Sequence, residues 1–262
     1  VLRAHGVSDR GHVRPINEDC YLVDEPLRLC VVADGMGGHN AGEVAARMAV
    51  DAIVEYLREA APTVAAAGGI EDTGAWPFGF ETSLSAAGNL LRTAVYVANV
   101  QVLETSVTTE AYSGMGTTIV AALVCDNTLS VAHVGDSRCY LFSDDRLQQL
   151  TADDSWLASM LAEDPGMHPD MLRHHPMRNA LTNAVGARTG ARVHVIDHVL
   201  RGGELFAMTT DGVHGVLDDR RIGKFLSDGR DPMAIASNLV RAALAGGSRD
   251  NCTAVVAHYS AD

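Results

Sequence analysis

The chain has 262 residues, 47% apolar and 20% charged, with 33 acidic against 20 basic side chains and a formal net charge of −13. That balance excludes disorder and low-complexity classes, and it disfavours a nucleic-acid or anionic-membrane partner, which needs a basic surface. The length suits one large sandwich-type domain or two small ones. No apolar run approaches the roughly 18 residues of a membrane span.

In chain order, Leu2 to Val7, Cys20 to Val23 and Leu27 to Ala33 read as strands bounded by Gly, Asp or Pro. After a Gly-rich turn, Val44, Met48, Ala52, Ile53, Tyr56 and Leu57 recur at helical steps, and Leu84, Ala87, Leu91, Val95, Ala98 and Val102 repeat the pattern. Between them, Ala61 to Phe80, with Pro62, Gly68-Gly69 and Pro77, predicts a surface loop. Two hairpins follow: Thr117 to Cys125 with Leu129 to Val134, and Arg138 to Ser143 with Arg146 to Leu150. Thr151 to Pro176 is polar and irregular, with short helical pieces. Strands over Val193 to Val199 and Glu204 to Thr209, helices near Asp219 to Leu226 and Pro232 to Ala245, and a last strand over Thr253 to Tyr259 complete the chain. Runs of strands followed by helix pairs indicate an α+β fold with antiparallel sheets.

The chain opens at Val1 without a signal pattern, which suits a trimmed piece or one module of a longer protein. Five cysteines form no Cys-x-x-Cys pair, and four lie in or beside strand-like runs, so buried free thiols in a reducing cytoplasm are expected.

Acidic residues recur beside glycine at strand ends, in Val31-Val32-Ala33-Asp34-Gly35, Val134-Gly135-Asp136-Ser137 and Thr209-Thr210-Asp211-Gly212; Asp250 opens the last strand. One such Asp-Gly is ordinarily a turn, but several in the same context suggest carboxylates projecting into a shared cleft. Two like charges at about 4 Å repel by about 4 kcal/mol at an effective dielectric near 20, so a cation has to sit among them. Lys224 is the sole lysine of the chain. Carboxylates without His or Cys partners select hard ions, Mg²⁺ or Mn²⁺, and several shared carboxylates permit two ions whose natural electrophile is a phosphoryl group. Arg14, four residues before Glu18 and five before Asp19, adds a fork able to grip phosphate oxygens, although a surface arginine beside solvated acids fits the spacing equally well.

In order, Arg14-x-x-Asn17-Glu18-Asp19, Ala33-Asp34-Gly35-Met36-Gly37-Gly38-His39, Gly114-Met115-Gly116-Thr117-Thr118, Val134-Gly135-Asp136-Ser137-Arg138, Thr210-Asp211-Gly212 and Asp250-Asn251 make the chain resemble the metal-dependent (PPM, type 2C) serine/threonine protein phosphatases, its bacterial branch above all. The resemblance implies a single catalytic domain over 1–262, folded as a four-layer α/β/β/α sandwich of two antiparallel sheets flanked by helix pairs, with a mobile flap over about 151–190. It implies Mn²⁺ or Mg²⁺ as two ions, with a third, weaker one. Asp34 bridges the two ions, the Gly35 carbonyl, Glu18, Asp211 and Asp250 are further ligands, and Asp136 joins Asp211 at the third. Asp19 sits in the water-mediated shell, and Arg14 clamps the substrate phosphate. The implied reaction is direct attack of a metal-bridging hydroxide on phosphoserine or phosphothreonine.

The implied partners are phosphoproteins that a cognate Ser/Thr kinase modifies, met by a cytoplasmic monomer with no nucleic acid and no membrane span. The position after Asp34-Gly35 is Met36, where eukaryotic relatives place a His, so His39 is the nearest candidate general acid; capping or packing the Gly turn is its alternative role. The flap holds Met160, Met167, Met171 and Met177, an adaptable contact surface or simple gap filling. A catalytically weak phosphoprotein-binding module on the same fold is the alternative function. A nucleotide site at Gly35 to Asn40 fails, because neither a dinucleotide fingerprint nor a Walker loop is complete there.

Overall fold

Both faces of one strand set the layering. In β3 (Leu29–Met36), Leu29, Val31 and Ala33 pack with one cluster of buried side chains while Cys30 and Val32 pack with another, as the two-residue period of a strand dictates. The computed structural model describes residues 1–38, 41–66, 76–164, 166–172, 175–229 and 231–261.

One sheet runs β1 (Leu2–Asp9), β11 (Cys252–Tyr259), β10 (Leu205–Thr209), β7 (Arg138–Ser143) and β8 (Arg146–Gln149). The other runs β2 (Asp19–Asp24), β3, β5 (Ile119–Cys125), β6 (Thr128–Val134) and β9 (His194–Val199), with the short β4 (Gly116–Thr117) also on β3. Every ladder is antiparallel. Helices α1 (Ala41–Ala66) and α2 (Ala86–Thr108) cover the outer face of the β3 sheet through Ala45, Ile53, Leu91 and Ala98. On the far side, α5 (Asp219–Ser227) and α6 (Pro232–Ala245) cover the β11 sheet through Ile222, Leu226, Ile235 and Leu239. Val120, Val131, Leu141, Phe206 and Val255 fill the space between the sheets. This is the expected four-layer sandwich. Among the described residues no helix is long and apolar enough to cross a membrane.

Helix starts follow from local chemistry: Ser85 accepts from the Gly88 N–H at 2.9 Å and Asp218 from the Arg221 N–H at 2.8 Å, while Asp231 caps α6 with Pro232 behind it. Some expected boundaries move. The loop expected over 61–80 begins later, because α1 continues past Pro62 to Ala66, within an alanine-rich stretch of high helix propensity. Residues 67–75 lie outside the described part. Trp76 is not a surface residue: it is 5% exposed and packs on Phe80, ring centroids 5.2 Å apart. The strand expected over Thr117 to Cys125 is split at Thr118, whose backbone turns to the Asp34 carbonyl. Strand β3 runs on to Met36, so Asp34 and Gly35 lie within it rather than past its end, and Asp211 opens a helical turn, α4 (Asp211–His214).

Candidate functional site

Glu18, Asp34, Asp136, Asp211 and Asp250 line one cleft of about 410 Å³, together with Arg14, Gly35 and Thr118. Asp19 lies beneath it, directly opposite Asp34 in the β2–β3 ladder. Close backbone approach makes this convergence possible. The Gly35 N–H donates to the Glu18 carbonyl at 3.1 Å. A Cβ on Gly35 would fall on the Gly42 carbonyl oxygen, and one on Gly42 would fall on Glu18 Oε1, so only glycine lets α1 start against the strand that carries Asp34.

Thr118 fixes the backbone of Asp34: its hydroxyl accepts from the Asp34 N–H at 3.0 Å, and its own N–H donates to the Asp34 carbonyl at 2.9 Å. The same hydroxyl lies 2.7 Å from Ser137 Oγ, which joins β3 to the turn carrying Asp136. That turn needs Gly135, whose φ of 99° is left-handed.

Burial without counter-charge sets the electrostatics. It pushes the Asp19 carboxyl from 3.8 up to about 7, with Asp211 and Asp250 adding to the rise against hydrogen bonds from Thr253 and Thr210. Asp34 is raised by burial first and then by Asp19, Asp211, Asp136 and Asp250. Burial and Asp211 bring Asp136 to about 7; burial and Asp250 bring Asp211 to about 6. Glu18 is raised by burial, which Arg14 opposes. Glu18 Oε1, Asp19 Oδ1 and Asp211 Oδ1 are buried without any hydrogen-bond partner. An all-oxygen donor set with orphaned lone pairs suits a hard divalent cation. Among the described residues no three His, Cys, Asp or Glu side chains close into a finished ion cage; the carboxylates line the cleft walls, and the Arg14 Nη2 donates to Asp250 Oδ2 at 2.6 Å.

Several residues that sequence reasoning gave no role hold this arrangement. Thr210 and Thr253 donate their hydroxyls to Asp19 Oδ2 at 2.9 and 2.6 Å, which leaves only Oδ1 without a partner. Asn251, 4% exposed, accepts from the Glu18 N–H at 2.9 Å and donates to the carbonyls of Arg10 and Ile16 at 2.8 and 3.0 Å. It thereby staples the loop bearing Arg14 and Glu18 to the segment bearing Asp250, which lies two residues before β11 rather than opening that strand as expected. Its adjacency to Asp250 was the one available signal. His39, the candidate general acid, lies outside the described residues.

A second cavity of about 620 Å³ opens from the first and shares Arg14, Asp136, Asn179, Asp211 and Asp250 with it. The segment expected to form the flap supplies one wall. There α3 (Trp156–Glu163) is capped by Ser155, and the Trp156 ring stacks on His175 with centroids 4.1 Å apart. Met171 and Met177 are exposed on it. Also lining the cavity, Arg138 donates two bonds to Asp153, of 2.9 and 2.7 Å, and the pKa of His214 is lowered by burial and then by Arg138.

The family profile described as protein phosphatase 2C matches residues 13–244. Among curated proteins, the serine/threonine protein phosphatase PstP of Mycobacterium tuberculosis is 33% identical over 98% of the chain, and the serine/threonine phosphatase stp of Listeria welshimeri is 28% identical over 97%. The chain spans 45% of the length of the mycobacterial relative and 95% of the listerial one. Among solved structures, the M. tuberculosis phosphatase PstP/Ppp superposes with a TM-score of 0.81 at 31% identity, covering 99% of both chains. The catalytic domain of PstP in complex with two manganese ions superposes at 0.80 with 30% identity, again covering 99% of both chains.

Proposed function

The chain belongs to the protein phosphatase 2C family, and from that premise we propose that it is a metal-dependent phosphatase that hydrolyses phosphoserine and phosphothreonine in proteins. The observation that carries the reading is the convergence of Glu18, Asp19, Asp34, Asp136, Asp211 and Asp250, from five separate stretches of chain, on one cleft with buried, unpartnered oxygens.

Asp34, the carboxylate that Asp19, Asp211, Asp136 and Asp250 all press upon, would help to hold two divalent ions. Glu18, the Gly35 carbonyl, Asp211 and Asp250 would complete the pair, and Asp136 with Asp211 would hold a third ion. When bound, Mn²⁺ or Mg²⁺ supplies Lewis acidity that readies water for in-line attack and neutralises phosphate oxygens. The chain's own residues do the rest. Asp19, anchored by two threonine hydroxyls, orients what the ligands hold. Arg14, at the mouth where both cavities meet, offers its guanidinium to the phosphate. His39, two residues before α1, is our candidate to protonate the leaving alkoxide.

We place residues 1–262 in a single catalytic domain with its flap over about 151–190, and we propose a monomer. Its exposed large apolar side chains, among them Tyr21, Phe78, Val107 and Val199, come from separate elements. The substrates would be phosphoproteins made by a Ser/Thr kinase. Five cysteines free of disulfides suit a reducing cytoplasm. The test is Mn²⁺-dependent hydrolysis of p-nitrophenyl phosphate and of a phosphothreonine peptide. Folded, metal-loaded protein without turnover would instead be a phosphoprotein-binding module on this fold.

A further inference from the structure

The larger cavity carries an exposed arginine, Arg249, that the phosphate site does not use. Four segments wall the cavity: the loop with Val13 and Arg14, the turn into β7 with Asp136 and Arg138, the flap with Leu157 and Arg178, and the stretch from α4 to β11 with Val216 and Arg249. Four arginines and four aspartates, Asp136, Asp153, Asp211 and Asp250, line it, so what matters is which arginine keeps its charge uncompensated. Two are committed. Arg14 pairs with Asp250, and Arg138 is neutralised by the two-pronged bond from Asp153 and also donates to Tyr140 Oη at 3.2 Å. Arg249 is exposed, one residue before a cleft carboxylate, and has no ion-pair partner among the described residues. Arg178 stands on the opposite wall and donates to its neighbour Asn179 at 3.1 Å.

A peptide whose phosphorylated side chain reaches the carboxylate cleft has to leave through this larger cavity, because the two share Arg14, Asp136, Asn179, Asp211 and Asp250. The residues flanking the phosphate then lie between Arg249 and Arg178, over the apolar patches of Val13, Leu157 and Val216. We propose that this groove docks the substrate segment beside the phosphoresidue and that Arg249 is a specificity-determining residue selecting an acidic side chain there. The inference rests on the phosphatase reading for the position of the phosphate and adds which phosphopeptides are preferred. An arginine fork on a rim gains a carboxylate partner at small desolvation cost, so it sorts substrates by charge and does so less well as salt rises.

The experiment separates binding from turnover. Two fluorescent peptides carry a non-hydrolysable phosphonate analogue of phosphothreonine, one with Asp and Glu and one with Lys and Arg at the flanking positions. Their affinities for the Mn²⁺-loaded protein are read by anisotropy. The wild type should bind the acidic peptide about fivefold or more tightly, shrinking at 0.5 M salt. Arg249→Glu should erase or reverse the ratio by weakening one peptide and strengthening the other, a pattern that misfolding does not produce; Arg249→Gln should fall between. Equal affinities in the wild type, or a ratio untouched in Arg249→Glu, would overturn the proposal. Turnover of p-nitrophenyl phosphate by the wild type reports separately on the phosphatase reading. A protein that binds with the expected ratio but hydrolyses nothing would sink that reading and leave the groove's selectivity standing.

Discussion

Asp19 and Asp34 stand directly opposite each other in the β2–β3 ladder, two carboxylates at a cross-strand position where like charges destabilise a sheet. Both are raised by burial and by neighbouring acids, and two threonine hydroxyls bind only one oxygen of Asp19. The arrangement costs stability in the metal-free protein, and its presence at the heart of the fold points to a cation as the missing counter-charge.

Without divalent ions the protein should therefore lose stability as pH rises. In the unfolded chain these carboxyls ionise near 3.8, whereas in the fold Asp19 and Asp136 hold their protons to about 7 and Asp211 to about 6. Between those limits the folded state binds more protons than the unfolded chain, so unfolding free energy falls from about pH 4 to pH 7, by on the order of a few kcal/mol. Thermal melts in EDTA at pH 5.5 and 8 should show the higher melting temperature at pH 5.5, and Mn²⁺ should restore the loss at pH 8. A metal-free protein that is more stable at pH 8 would contradict this.

Asp211→Asn removes one charge from the cluster. Turnover should drop by at least about 100-fold while the metal-free melting temperature rises by a few degrees, since Asp250 and Asp34 lose a repelling neighbour. Normal turnover in the variant would remove Asp211 from the proposed ligand set.

Arg14→Ala deletes a guanidinium whose charge-assisted bonds to phosphate exist before and during reaction. KM for phosphosubstrates should rise about tenfold with kcat little changed, the mark of uniform binding. A kcat loss at constant KM would assign Arg14 to the transition state instead.

Asn251→Ala leaves the Glu18 N–H and the carbonyls of Arg10 and Ile16 without their partner. Stability should fall by about 2–4 kcal/mol, and Mn²⁺ affinity, titrated well below the melting transition, by about tenfold. Asn251→Asp should do no better, because it replaces the donor to two carbonyls with an acceptor. Unchanged affinity in folded Asn251→Ala would show that the loop holds its shape unaided.

Two glycines, Gly38 before α1 and Gly42 in its first turn, should behave oppositely. A methyl at Gly42 meets Glu18 Oε1, whereas one at Gly38 meets nothing within 4 Å. Gly42→Ala should weaken Mn²⁺ binding and Gly38→Ala should not, which isothermal titration of both variants would decide.

Much of this molecule could be read from its residues, and the reason is periodicity. The alternation in β3 and the helical spacing in α1 and α2 are local signals, and the cap residues Ser85, Asp218 and Asp231 mark helix starts in the sequence itself. The reading failed where the answer lay elsewhere in the chain. Nothing near Trp76 says that it is buried, because the surface it fills belongs to α1 and α2. Asp19 looked peripheral until Thr210 and Thr253, both more than 190 positions away, closed around it. Asn251 carried no sign of its grip on the Arg14 loop. The sheet order was equally hidden, since β1 pairs with β11 and β6 with β9 across long intervals.

Strand β11, the last in the chain, lies inside its sheet between β1 and β10, and the residue two places before it is one of the cleft carboxylates. During synthesis the ribosome therefore releases the centre of that sheet after its flanks. A nascent chain carrying every other cleft carboxylate still has an open seam where Asp250 and Asn251 belong. The cluster of cleft carboxylates is complete only once that closing segment has left the exit tunnel.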